Sequence, residues 1–254
     1  MKQRSRGKRG WKKIVSNLLI LGGLLVIAYP AGTWGITWWE QRALERELLE
    51  AAPGLDESPA ELLQTGMVVV DKFDQDEKQQ VLDAAREAER RAVMEDLARR
   101  AQEFAESSNG KGGTPLGRLV IPKIGVDVIV IEGTGRGDLR EGPGHWPETP
   151  LPGASGNFVI SGHRTTYGAP FFNLDKLEPG DTIEFAAPYA VFRYKITRVV
   201  IVLPHEVDTV KQRGVEEISL ATCHPIYSAE QRLVVQAEIE GFKILDGGVA
   251  VSGL

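Results

Sequence analysis

Cysteine is nearly absent: Cys223 is the sole thiol in 254 residues. That excludes an internal disulfide, a Cys-x-x-Cys redox pair and a thiolate-rich zinc site. Acidic residues are missing from the first thirteen positions, which hold Lys2, Arg4, Arg6, Lys8, Arg9, Lys12 and Lys13. This arm carries +7, so the rest of the chain sums to −12 against a total of −5. An acidic body argues against nucleic acid as a partner. Charge of either sign is then missing from Ile14 to Trp39. As a helix this run rises roughly 39 Å, enough to cross a hydrocarbon core of about 30 Å with some tilt. Trp11 marks one end, and Trp34, Trp38 and Trp39 mark the other, where aromatic rings favour the membrane interface. A cleavable signal peptide shares the pattern of basic start and apolar run. The run is longer than a usual signal core, however, and Ala28-Tyr29-Pro30-Ala31 is a poor cleavage site. An uncleaved span is expected, with the basic arm cytoplasmic and everything after Trp39 outside.

What is present after the span falls into two textures. Hydrophobic residues make up 42% and charged residues 26%, which suits a chain with a packed core. Residues 40–113 are charged and helix-prone. Pro53-Gly54 interrupts them, and from about Gln75 to Ser107 Ala, Glu, Arg and Gln dominate. Val81, Ala85, Ala88 and Ala92 form a thin apolar stripe, so a solvated stalk is expected ahead of a coiled coil or a helix lying on the domain. Ser107 to Gly113 reads as a flexible linker and sets a boundary near residue 114. Beyond it the texture is β. Strands are predicted at Arg118 to Ile121, Val126 to Ile131, Asn157 to Ser161, Thr182 to Phe185, Val191 to Val202, Glu217 to Thr222 and Arg232 to Ile239. Short strands spaced this closely imply a closed barrel or a sandwich.

A lone cysteine is usually a small buried hydrophobe. Outside the membrane an idle thiol is a liability, which favours a working one, and a working thiol needs a base or a cation nearby. Of four histidines, His224 adjoins Cys223 and should point to the opposite face of its strand. His145 sits among turn formers, and His205 follows Pro204 at a strand end. His163 leaves a predicted strand end in Ser161-Gly162-His163-Arg164, the usual place for a site residue. Arg232 opens the strand after Cys223, so an antiparallel pair would bring its guanidinium to the thiol's end of the sheet.

Three blocks then resemble a known family. Gly156-Asn157-Phe158-Val159-Ile160-Ser161-Gly162-His163-Arg164, Leu220-Ala221-Thr222-Cys223-His224-Pro225 and Arg232-Leu233-Val234-Val235-Gln236-Ala237, in this order behind an N-terminal span, resemble the sortases, membrane-anchored cysteine transpeptidases of Gram-positive bacteria. The resemblance covers Leu116 to Phe242. It implies a mainly β fold, an eight-stranded barrel, with Cys223 as nucleophile, His163 as general acid and base, and Arg232 as stabiliser of the carbonyl or its oxyanion. The implied reaction cuts an LPXTG-like sorting signal between Thr and Gly through a thioester, then passes the acyl group to an amine of a cell-wall precursor or a pilin. The stretch His163 to Phe171 is most similar to class E, which favours LAXTG. That implies Tyr167 and Thr222 as substrate contacts. The organisation expected is a basic cytoplasmic arm (1–13), a signal-anchor helix (14–39), a helical spacer and linker (40–113) and an extracellular catalytic domain (114–254). No cofactor and no metal are expected. A hydrolytic thiol peptidase, a pilin-polymerising enzyme and a non-catalytic surface module remain as alternatives.

Overall fold

The computed structural model describes residue 35 and residues 37–52, 58–64, 68–69, 80–108, 110–246 and 249–250. Among these, no helix is long and apolar enough to cross a membrane. The apolar run predicted to span lies outside them, apart from residue 35 and residues 37–39. Helices α1 (37–51), α2 (Pro59–Gln64), α3 (Gln80–Ser108) and α4 (Asp138–Glu141) accompany the strands. Eight strands build the barrel: β2 (Pro115–Ile121), β3 (Val126–Glu132), β4 (Gly144–His145), β5 (Asn157–Ser161), β6 (Thr182–Ala187), β7 (Ala190–Val202), β8 (Glu217–His224) and β9 (Gln231–Asp246). The two-residue pieces β1 (Val68–Val69) and β10 (Val249–Ala250) add to β9.

The strand order β9-β7-β6-β2-β3-β4-β5-β8 closes on itself because β8 also pairs with β9. Closure removes the sheet edges that would otherwise invite association. Most pairs are antiparallel, but β3 and β4 run parallel, as do β5 and β8, with Ser161 level with Ala221. Alternation along β7 puts Phe192, Tyr194 and Ile196 inside while Arg193 and Lys195 face outward. The same inner face gathers Leu119, Phe158, Ile160, Phe185, Leu220, Leu233 and Val235 into one core.

The spacer does not stand off the barrel as a stalk. Leu97 and Ala101 of α3 are fully buried in the main core, with Val93, Met94 and Phe104 packed beside them. Phe104 meets the Tyr189 ring at 5.6 Å, and Arg100 donates to the Leu245 carbonyl. The apolar face of α3 is therefore the short seam 93/94/97/101/104, at helical spacing and C-terminal to the alanine row that suggested a solvated helix. Helix α1 docks separately: Leu44 and Leu48 join Leu62 and Leu63 of α2 over Ile129, Ile131, Ala186 and Val191. The glycine-rich segment before residue 114 is held as well, since the Gly113 N–H donates to the Glu132 carbonyl.

One buried carboxylate makes fold stability depend on pH. Glu216 accepts from the Gly153 and Ser155 N–H groups and from the Tyr194 hydroxyl. Burial nevertheless outweighs these bonds and raises its pKa from 4.5 to about 7. The folded state thus holds this proton more tightly than the unfolded chain does. Its contribution is most favourable below about pH 4.5, declines as pH rises through 7, and then levels off. The total is on the order of a few kcal/mol. The melting temperature of the full-length protein in detergent is expected to be roughly 5–10 °C lower at pH 8 than at pH 5. Glu216→Gln should flatten that slope; an unchanged slope would mean that Glu216 does not govern it.

Candidate active site

Three neighbouring strands place the site. In the antiparallel ladder of β8 and β9, Cys223 lies directly opposite Arg232, so the two side chains share a face. In the parallel ladder of β5 and β8, Ser161 pairs with Ala221, and the Gly162 N–H extends the ladder by donating to the Ala221 carbonyl at 3.1 Å. His163 and Cys223 each lie two residues beyond this last pair. Imidazole, thiol and guanidinium thus gather at neighbouring ends of β5, β8 and β9, where all three line a cleft of about 290 Å³. Trp146, Leu139, Val202, Val207, Val210 and Val234 supply much of its apolar wall.

The turn carrying His163 is built for close packing. A Cβ at Gly162 would lie 2.6 Å from the Phe171 ring, so only glycine lets the chain leave β5 here. The Thr222 hydroxyl donates to the Gly162 carbonyl at 2.7 Å, tying the residue before the nucleophile to the residue before the imidazole. Trp146 donates its indole N–H to the Ser161 hydroxyl at 2.7 Å from the cleft wall. Tyr167 sits in the left-handed region, with φ 50°, and its ring lies 5.0 Å from that of His163. The Arg140 guanidinium covers Tyr167 at 5.7 Å.

Burial lowers the His163 pKa below the usual imidazole value, which favours a neutral ring able to take a proton at neutral pH. Cys223 is free and half-buried, accessible from the cleft. No hydrogen bond joins thiol and imidazole here, and such contacts commonly tighten only around bound substrate. Arg232 is braced: its Nη1 donates at 2.9 Å to both the Ala229 and the Gln231 carbonyls. The other histidines stand apart. His145 is buried between the Glu132 carboxylate and Thr149, and His205 is exposed. The ring of His224 is taken up by Arg164. Among the described residues, no cluster of three or more His, Cys, Asp or Glu side chains is placed to hold a metal ion.

Sequence reasoning missed Trp146, the apolar wall supplied by the β7–β8 connection, and Arg164. Of these, Arg164 directly follows His163 and Trp146 directly follows His145. Also unforeseen was the reach of α1: Thr37 donates to the Arg140 carbonyl at 3.4 Å and packs by Gly168, beside the Tyr167 turn.

A thiol, an imidazole and a guanidinium line one cleft at one end of a closed β-barrel, groups chemically suited to nucleophilic acyl transfer. A family model for the sortase domain matches residues 119–240. The chain is 34% identical over 127 residues to Sortase D of Bacillus subtilis, covering 48% of this chain and 63% of that protein. It is 35% identical over 133 residues to Sortase SrtE1 of Streptomyces coelicolor, covering 46% and 38%. The matched stretch thus spans less than two thirds of either relative's length. The solved SrtA sortase from Actinomyces oris is similar at 30% identity with a TM-score of 0.51, covering 57% of this chain and 89% of that one. The chain belongs to the sortase family.

Proposed function

We propose that the protein is a membrane-anchored cysteine transpeptidase that attaches secreted proteins to the cell wall. The meeting of His163, Cys223 and Arg232 in one cleft at the ends of adjacent strands carries this reading. Cys223 attacks the carbonyl between Thr and Gly of an LPXTG-like sorting signal while the neutral His163 ring accepts the thiol proton. Arg232 donates to the carbonyl oxygen as it gains charge. His163 returns the proton to the departing glycine amine, leaving a thioester on Cys223. An incoming amine of a cell-wall precursor or a pilin then attacks the thioester, gives up a proton to His163 and forms the new amide as the thiol is restored. The covalent intermediate conserves the acyl group, so no nucleotide is consumed. Tyr167 and Thr222 flank the acyl position as substrate contacts, and the LAXTG form of the signal is the preferred one. The apolar run that begins at Ile14 spans the membrane and ends before Thr37, which docks on the barrel, with residues 1–13 cytoplasmic and the barrel outside.

The test is a peptide panel varying the second signal position, incubated with the full-length protein in detergent and an amine acceptor. Mass spectrometry is expected to show an acyl-enzyme and a ligated product, with the Ala peptides ahead of the Pro peptides. Free acid as the sole product at saturating amine would convert the reading to hydrolysis. Equal acylation by all peptides would remove the LAXTG preference.

A further inference from the structure

We infer that Arg164 is a positioning residue for this site, clamping the end of the nucleophile strand to the His163 turn and holding His224 in one tautomer, away from the thiol. The inference rests on the acyl-transfer reading of the cleft.

Arg164 follows His163, yet it is only 3% exposed. Burying a guanidinium carries a heavy desolvation cost unless its donors are matched. Here Nε is buried without a partner, while Nη1 donates to the Cys223 carbonyl at 3.3 Å and to Nδ1 of His224 at 2.8 Å. Nη2 pairs with the Asp175 carboxylate at 3.0 Å, in the turn Leu174–Lys176. Three segments distant in sequence therefore converge on one planar fork: the exit of β5, the exit of β8 and the turn at Asp175. The regular ladder between β5 and β8 ends at Ser161 and Ala221, two residues short of both His163 and Cys223. Beyond it, Arg164 reaches the nucleophile's own carbonyl and so sets how the end of β8 stands against the His163 turn.

The second consequence concerns His224. A guanidinium has donors and no acceptor, so the Nδ1 that receives its N–H carries no proton. The ring is then the neutral Nε2–H tautomer, committed to Arg164. A chain with two imidazoles near one thiol thereby leaves His163 alone to serve it. Lysine at position 164 would keep the charge but offers no planar fork to span the Cys223 carbonyl and the His224 ring together.

The experiment uses the full-length protein in detergent, with Arg164→Gln and Arg164→Lys. It reads ligation kinetics with a sorting-signal peptide and an amine, thermal melting, and the ¹⁵N imidazole spectrum at pH 7. The native spectrum is expected to show His224 with an unprotonated Nδ1. Arg164→Gln should turn this signal into a mixture of tautomers and lower kcat by about tenfold to a hundredfold, the scale of an ångström-sized misplacement. KM should change by less than about threefold, because the clamp touches no substrate. Arg164→Lys should recover part of the lost kcat. Should Arg164→Gln fail to fold, Arg164→Lys at native melting temperature decides, with kcat reduced and the His224 signal mixed. Native kcat in either folded variant, or an unchanged His224 tautomer, overturns the inference. If the native protein forms no acyl-enzyme, the acyl-transfer reading is what fails, and the tautomer spectrum still decides the clamp.

Discussion

Cys223→Ala is expected to abolish acyl-enzyme formation, with turnover falling on the order of a millionfold, the scale of removing a covalent nucleophile that acts as one unit with its base. Cys223 is the sole thiol of the chain, so no second sulfur can take over. The substitution is also mild structurally. Cys223 is half-buried at the end of β8, its carbonyl still accepts from Arg164, and its backbone still pairs with Arg232. The melting temperature should therefore stay near the native value while activity disappears. Intact-mass spectrometry with a sorting-signal peptide is the decisive measurement. The native chain gains the acyl mass and the variant gains none. Normal turnover in the alanine variant would end the nucleophile assignment, and a native chain that gains no acyl mass would leave a non-catalytic role for the domain.

The barrel was legible because its strands obey a local rule. Phe192, Tyr194 and Ile196 alternate with charged neighbours, and Asn157 to Ser161 is a short apolar run bounded by glycines, so each declares itself without tertiary information. Gly144–His145 did not, because two residues carry no period; their pairing follows from His145 being buried against Glu132 and Thr149. The long helix was legible as a helix, but its docking was not. Leu97 is fully buried while Ala88 and Ala92 are exposed, and hydrophobic spacing averaged over a charged helix hides the difference. Within the site, Cys223 and Arg232 were readable because a short connection forces antiparallel neighbours into register. That His163 would share a cleft with Cys223 depends on the parallel pairing of β5 with β8, which joins residues about sixty apart and leaves no mark on either strand alone. Arg164 was hidden for a different reason. An arginine beside a candidate base reads as a surface charge until its burial and its three partners are seen.

Arg232→Lys is expected to cost about a hundredfold to a thousandfold in kcat, the range found when a preorganised donor to a developing oxyanion is removed. The geometry explains why a retained positive charge is not enough. Two backbone carbonyls, those of Ala229 and Gln231, both accept from Nη1, which fixes the guanidinium plane before substrate arrives. Nε and Nη2 remain as N–H donors of a residue that lines the cleft together with Cys223 and His163. A lysine ammonium offers a compact point charge on a flexible stem, and using its donors on the same carbonyls would leave none fixed toward the reacting oxygen. Because the bond strengthens as the carbonyl oxygen gains charge, the loss should fall on kcat and on kcat/KM alike, with KM little altered. Single-turnover acylation of the lysine variant, read by quenched-flow mass spectrometry, separates this step from later amine attack. A slow acylation step with normal peptide binding supports the oxyanion role. A near-native acylation rate would reduce Arg232 to a general positive charge at the cleft mouth and shift the search for the oxyanion donor to the backbone N–H groups around Cys223.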